Sequence, residues 1–211
     1  MNGSMPTAAE CFFVNSFNRC EAMNLNDANR PTVVMGVGGA GIRMLERAAA
    51  NPFVVASTRW IAVNTDQTSM EQVRLPHLLI GASGLPAVCS AKGREAALHS
   101  AVDIAEALQG ARRLLVLAGL GGGTGSGAMP EIARMALEMD IDVTVGVGMP
   151  GKWEGVQRHE QASAGLSALQ SLGCKVEVAR FDELSAELPA STSLDEYSAE
   201  LTRLLLEKTM A

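Results

Sequence analysis

From Pro31 onward, short apolar runs alternate with glycine or polar turns and with longer segments of helical character. Most of the runs are continuously apolar, which is typical of strands covered on both faces of a parallel sheet. They lie at residues 32–37, 60–64, 77–81, 114–119, 142–148 and 175–179. This alternation predicts an α/β fold, a Rossmann-like three-layer sandwich around a mostly parallel six-stranded sheet.

Five further segments carry apolar residues at helical spacing. They cover residues 40–50, 92–109, 127–139, 155–172 and 194–208. Gly110 is expected to end the second helix, and Pro130 fits a first turn of the third. We expect the second helix to bury Leu98, Ala101, Val102, Ala105 and Leu108. We expect the third to bury Met129, Ile132, Ala133, Ala136 and Met139.

A chain of 211 residues with 47% hydrophobic and 19% charged residues can bury the core of one domain. Residues 1–30 are mixed in character, so we predict an N-terminal extension followed by a single domain over residues 31–211. The net charge of −6, without a run of Lys or Arg, argues against nucleic-acid binding. The apolar runs are shorter than the roughly 20 residues that cross a bilayer, so no membrane partner is expected.

The four cysteines, at positions 11, 20, 89 and 174, form no CxxC pair and lack the spacing of zinc ligands. The N-terminus shows no basic segment followed by an apolar core, as a signal peptide would. Both observations favour reduced thiols and a cytoplasmic location.

The first glycine loop is GVGGAG, residues 36–41, between the first strand and the first helix. It satisfies the GxGxxG pattern of dinucleotide-binding folds. Read alone, this loop favours NAD, with Asp66 as the acid that binds a ribose. That interpretation leaves a second glycine loop unexplained, and none of His77, His99 and His159 lies in a convincing catalytic setting.

The second glycine loop is GLGGGTGSG, residues 119–127, between the fourth strand and the third helix. Glycines leave room for backbone N–H groups to surround an anion, and a helix beginning near Gly127 would direct its positive end there. Thr124 and Ser126 can add hydroxyl donors. A tight turn alone needs only one or two glycines, so we predict a phosphate cradle that shares one crevice with the first loop.

The string GGGTGSG is close to the signature GGGTG[ST]G, and with both loops placed the chain resembles the nucleotide-binding half of the FtsZ/tubulin family. Three more segments follow in that family's order: AVNTD (62–66), GREAA (93–97) and PGKWEGVQR (150–158). The resemblance covers about residues 31–205. It implies a truncated, divergent FtsZ-like protein that binds a purine nucleotide, GTP or GDP.

The resemblance also implies roles for individual residues. The α- and β-phosphates would contact Gly38, Gly39, Ala40 and Gly41. The β- and γ-phosphates would contact Gly121, Gly122, Gly123, Thr124 and Gly125. Glu154 would bind the ribose with Arg158 beside it, although a plain i,i+4 surface pair explains the same two residues. Tyr197 would stack on the base, and Asp66 is the nearest carboxylate for a Mg²⁺ ion that accompanies a triphosphate.

The chain departs from the family where the base is read. Phe181 and Leu201 stand where the resemblance places two guanine-reading asparagines, and Ile42 replaces a third asparagine beside the first loop. The third phosphate loop is GLPAVCSA (84–91), where the family has small residues. Because apolar groups cannot read a base by hydrogen bonds, guanine preference does not follow from the resemblance.

The sequence stops at Ala211, inside or just after the central helix of the family. The resemblance therefore leads us to expect no second domain, no acidic catalytic loop and weak or no hydrolysis without a partner subunit. We assign no catalytic residue. The expected function is nucleotide binding together with self-association or capping of FtsZ-type filaments through the nucleotide face. The alternatives are a nucleotide-free interaction module and, more remotely, an NAD-binding oxidoreductase domain.

Overall fold

The computed structural model describes residues 31–50, 58–189 and 191–210, so the predicted extension over residues 1–30 lies outside the described residues. Six strands form the sheet: β1 (Thr32–Val37), β2 (Arg59–Asn64), β3 (His77–Leu79), β4 (Arg113–Gly119), β5 (Asp142–Met149) and β6 (Lys175–Arg180). Their order is β3-β2-β1-β4-β5-β6, and every neighbouring pair is parallel. The predicted fold class is confirmed.

The helices of the described part are α1 (Gly38–Ala49), α2 (Gln67–Met70), α3 (Ser90–His99), α4 (Ala101–Leu108), α5 (Gly123–Glu138), α6 (Val156–Ser171), α7 (Phe181–Glu187) and α8 (Leu194–Met210). A 3₁₀ turn covers Lys152–Glu154. The short helices α2 and α7 were not predicted. Within the described ranges, no helix has the length and apolarity that a bilayer span requires.

The sheet is buried on both faces. Odd-numbered β1 residues such as Val33 and Met35 pack into a core with α4 and α5, which includes Ile104 and Ile132. Val34 points to the opposite core, shared with α1 and α8. These two cores explain why the strands read as continuously apolar runs.

The second predicted helix is two helices, because the chain breaks at Ser100. The predicted buried face is therefore wrong in part: Leu98 and Val102 are 44% and 71% exposed, whereas Ile104, absent from that face, is fully buried. The Ser100 hydroxyl accepts a hydrogen bond from the Gly81 amide at 3.0 Å, which ties the break to the end of β3.

Helix α5 begins at Gly123, four residues earlier than predicted. Pro130 consequently lies inside the helix rather than in its first turn, and Met139, which follows the helix end, is 39% exposed rather than buried. The other four residues of the predicted stripe are buried. The earlier start places the glycine loop itself at the helix N-terminus.

Candidate functional site

The loops that follow the six strands all lie at the carboxyl edge of the sheet, because the strands are parallel. Together they enclose a cleft of about 450 Å³, within the range of small-ligand sites. In the order of the strands, the edge carries Asp66 after β2, Gly38 after β1, the second glycine loop after β4, Glu154 after β5 and Phe181 after β6. The cleft lies where ligands bind in open α/β sheets, around the switch between β1 and β4.

Most of the predicted site residues line this cleft. The predicted residues among its lining are Gly38, Gly39, Ala40, Asp66, Gly122, Gly123, Thr124, Gly125, Glu154 and Arg158. Gly41, Gly121 and Tyr197 are not part of the lining. The structure thus brings together residues that lie more than 100 positions apart in the chain.

Gly41 and Gly121 lie outside the cleft lining, where they allow neighbouring backbone segments to pack closely. A Cβ atom at Gly41 would lie 2.3 Å from the carbonyl oxygen of Leu117, so glycine allows α1 to approach β4. Gly121 has φ of +100°, a conformation that favours glycine, and a Cβ there would lie 3.1 Å from the Arg158 carbonyl oxygen.

Two different physical effects explain why glycine occupies the positions after β4. A Cβ at Gly123 would lie 2.0 Å from the Ala87 carbonyl oxygen, and one at Gly125 would lie 2.2 Å from the Gly119 carbonyl oxygen. Close packing therefore requires these two glycines, so contacts between segments, which turn geometry alone does not include, account for part of the run. A Cβ at Gly122, in contrast, would meet nothing within 4 Å. Gly122 faces open space in the cleft.

Two helix N-termini meet at the cleft. Neither Val37, the N-cap of α1, nor Gly122, the N-cap of α5, makes a side-chain capping hydrogen bond. The first N–H groups of a helix have no partner within it, and the helix dipole makes that end attractive to anions. A Cβ on Gly38 would lie 3.3 Å from the Gly125 amide nitrogen, so the two termini are adjacent. The arrangement suits a chain of phosphates.

A buried hydroxyl connects three loops of the site. Thr65, only 3% exposed, bonds the Thr124 hydroxyl at 2.9 Å and accepts a hydrogen bond from the Ala87 amide at 3.0 Å. Ser126, predicted as a phosphate donor, is buried and instead accepts a hydrogen bond from the Gly121 amide at 2.7 Å. Ser126 therefore stabilises the loop rather than lining the cleft.

The charged side chains of the cleft include two cations and two carboxylates. Glu154 pairs with Arg158 at 2.7 Å and also accepts a hydrogen bond from the Gly151 amide at 3.0 Å. Arg43 lines the cleft near Gly39 and was missed in the sequence. The available signal was a basic residue two positions after the first glycine loop.

Asp66 is the N-cap of α2. Its carboxylate accepts hydrogen bonds from the Thr68 amide at 3.1 Å and from the Ser69 hydroxyl. Within the described ranges, no group of three or more His, Cys, Asp or Glu residues could hold a metal ion. A Mg²⁺ ion bound here would depend mainly on phosphate and water oxygens, which are ligands that it readily accepts.

Aromatic and aliphatic side chains form the end of the cleft beyond β5 and β6. Phe181 lines it, with Tyr197 stacked at 4.6 Å and Trp153 edge-on at 4.4 Å between ring centroids. Leu201 and Met44 close the wall beside Gly148. Ile42, which was expected at the base pocket together with Phe181 and Leu201, is buried in the core of α1 and is not part of the lining.

Proteins similar to this chain include curated relatives that match most of it. The family model for the GTPase domain of the Tubulin/FtsZ family matches residues 31–184. Cell division protein FtsZ 1 of Pyrococcus horikoshii is 40% identical over 161 residues, 74% of this chain and 43% of that protein. Cell division protein FtsZ of Helicobacter pylori is 32% identical over 183 residues, 82% of this chain and 46% of that protein. The match thus spans less than half the length of these relatives.

Solved structures show the same fold. The empty FtsZ dimer of M. jannaschii gives a TM-score of 0.78 at 24% identity, covering 97% of this chain and 58% of that one. CetZ2 of Haloferax volcanii, solved as a GTPγS-bound protofilament, gives 0.73 at 24% identity, covering 85% and 57%. The resemblance inferred from the motifs is confirmed.

Proposed function

The chain belongs to the tubulin/FtsZ family, and we propose that it binds GTP or GDP in the cleft at the carboxyl edge of its sheet. The observation that carries this proposal is the meeting of two uncapped helix N-termini at one cleft, beside a Gly122 that no packing contact requires. Phosphate groups supply the negative charge and the hydrogen-bond acceptors that such termini attract. Proteins of this family bind guanine nucleotides.

In this proposal the phosphates lie between the first turns of α1 and α5. Arg43 approaches them from the first of these helices, and Asp66 stands on the β2 side, where a Mg²⁺ ion would be held together with phosphate and water oxygens. Glu154 accepts hydrogen bonds from the ribose hydroxyls, which compete with its pairing to Arg158. The base lies beyond β5.

We extend the proposal to slow hydrolysis by this chain alone. The described carboxylates that line the cleft, Asp66 and Glu154, both already accept hydrogen bonds from neighbouring groups. In this proposal Asp66 stands beside the Mg²⁺ ion and Glu154 binds the ribose, so neither is placed as the general base that must lie within hydrogen-bond reach of the attacking water. Phosphate release from GTP, measured with this chain alone and after addition of an intact FtsZ, tests this point. A rapid rate with the chain alone would contradict it.

The proposal includes a role in cell division, in the cytoplasm, through assembly with FtsZ-type subunits or with itself. Relatives are named cell division proteins, and the similar structures include a dimer and a protofilament. An added subunit could also cap a filament end. Sedimentation of FtsZ polymers with stoichiometric amounts of this chain tests the association. Unchanged polymer mass and no co-sedimentation would exclude it.

Nucleotide binding is tested by thermal unfolding with GTP, GDP or NAD. A ligand at 100 times its Kd adds about 2.7 kcal/mol to the free energy of unfolding, which raises Tm by about 5–10 °C for a chain of this size. We expect this shift with GTP and GDP. A shift with none of the ligands favours the nucleotide-free interaction module, which the packing role of Gly123 and Gly125 would accommodate. A shift with NAD alone favours the oxidoreductase alternative.

A further inference from the structure

We propose that the base end of the cleft does not select guanine, so that the ligand class is the purine nucleoside di- and triphosphates, with adenine and hypoxanthine accepted beside guanine. This inference rests on the proposed nucleotide binding. It concerns which base the site accepts, and the geometry beyond β5 carries it.

The order of the strands places the base. Phosphates held at the N-termini of α1 and α5 lie over β1 and β4, and neighbouring strands are about 4.8 Å apart. A nucleoside reaches across about two such spacings, from β4 past β5 to β6. In the other direction the edge carries the Asp66 carboxylate and the polar Asn64, whereas the β6 side offers the apolar surface that a base buries well.

The wall at the β6 side is made largely of groups that cannot read the edge of a base. Phe181 contributes an aromatic ring, and Leu201 and Met44, which are 6% and 4% exposed, contribute aliphatic surface. The side chains of Leu201 and Met44 pack closely against Gly148. A Cβ atom added to Gly148 would lie 2.9 Å from Leu201 and 3.3 Å from Met44. Contacts of this kind depend on area and on a flat π-face, which every purine has.

Ser198 is the hydrogen-bonding side chain at this end among the described lining residues. Its hydroxyl can donate to the guanine carbonyl or accept from the adenine amino group, so it satisfies either base. Glu154 is assigned to the ribose, and Asp182, which follows Phe181 in the chain, accepts a hydrogen bond from the Lys152 amide at 3.2 Å and is not part of the lining. No described side chain of this wall is therefore fixed as a donor or as an acceptor toward the base.

The expected selectivity follows from this chemistry. A site built to hydrogen-bond a substrate rejects an analogue that lacks the matching group by about 10⁴-fold or more, because buried polar partners remain unpaired. An apolar wall leaves no such partner unpaired. We therefore expect the Kd values of GDP, IDP and ADP to agree within about tenfold.

The experiment is isothermal titration calorimetry of the full chain with GDP, IDP and ADP in one buffer of fixed Mg²⁺ and salt. Agreement of the three Kd values within tenfold supports the inference. A Kd for GDP more than tenfold below that for ADP overturns it, while nucleotide binding itself stands. Absence of binding by all three overturns both the inference and the proposed function.

Two variants probe the wall directly. Phe181→Ala should raise the Kd values of GDP and ADP by the same factor, about tenfold, because the ring contacts both bases alike. Val102→Ala, on an exposed apolar residue outside the cleft, is the matched control and should change neither Kd. Loss of GDP binding alone in Phe181→Ala would overturn the inference. If that variant does not fold, as judged by its Tm, the wild-type ratio decides.

Discussion

Gly122→Ala separates a glycine kept for a ligand from a glycine kept for packing. Gly122 has φ of −94° and ψ of 161°, which alanine adopts without strain, and its added methyl group would meet nothing within 4 Å. The free protein should therefore tolerate the change. The methyl group would stand in the cleft beside the first amides of α5, where we place the phosphates.

The two effects have opposite signs. Replacing a glycine by alanine at a compatible position stabilises a protein by about 0.4–1 kcal/mol through the unfolded chain. For a chain of this size that raises Tm by about 1–4 °C. Displacing the phosphates from even one backbone amide loses a hydrogen bond to a charged group, worth about 1.5–3 kcal/mol. The Kd for GDP should therefore rise by at least about tenfold.

Thermal unfolding without ligand and calorimetric titration with GDP measure both effects on the same sample. The control is Gly123→Ala, whose methyl group would lie 2.0 Å from the Ala87 carbonyl oxygen and should lower Tm with or without ligand. An unchanged Kd for GDP in Gly122→Ala, with the wild type binding, would show that the phosphates do not lie at this loop. A lowered Tm in the free variant would refute the assignment of Gly122 to open space.

Three further changes test how the site is supported. Thr65→Val removes the hydroxyl that bonds Thr124 and Ala87 and should lower the free energy of unfolding by about 1–3 kcal/mol. Thr65→Ser keeps a hydroxyl and should retain most of the wild-type stability. Equal urea midpoints for the two variants would argue against a stabilising role of these hydrogen bonds. Gly93→Ala would place a methyl group 2.1 Å from the Gly123 carbonyl oxygen and should lower the free energy of unfolding by about 1–3 kcal/mol. Urea unfolding measures this change. A variant as stable as the wild type would contradict the close packing of α3 on α5. Burial raises the pKa of Glu131, but the hydrogen bonds and charges of Arg94 and Arg134 outweigh it, so the pKa lies below the usual 4.5. The ionised carboxylate therefore stabilises the fold above about pH 4.5, and this stabilisation is lost as the pH falls through the lowered pKa. Glu131→Gln should therefore be less stable than the wild type at pH 7 by about 2 kcal/mol, with the difference narrowing toward pH 3; a constant difference would contradict this origin.

The strands could be predicted because a strand that is buried on both faces is an uninterrupted run of apolar residues. Local patterns also placed the two glycine loops at strand ends. The break at Ser100 has no local signal in the sequence, and the Ser100 hydroxyl accepts a hydrogen bond from Gly81, 19 residues earlier in the chain. The short helices α2 and α7 are each less than two turns long and leave little periodic signal.

The site was predictable in its loops and less so in its walls. The reasons for individual glycines depend on contacts between distant segments, such as Gly93 against Gly123, that spacing alone does not reveal. The same holds for Arg43, whose place in the cleft follows from the start of α1. Tyr197 was expected to contact the base, but the structure places Phe181 in the cleft wall, with Tyr197 stacked on its ring.

The central claim is that phosphates bind between the N-termini of α1 and α5. A crystal structure of this chain with GTPγS tests it most directly. The account predicts phosphate oxygens within hydrogen-bond distance of the backbone amides of residues 38–40 and 122–125, with the nucleoside extending toward Phe181. A bound nucleotide whose phosphates lie elsewhere, with both helix N-termini facing only solvent, would contradict it.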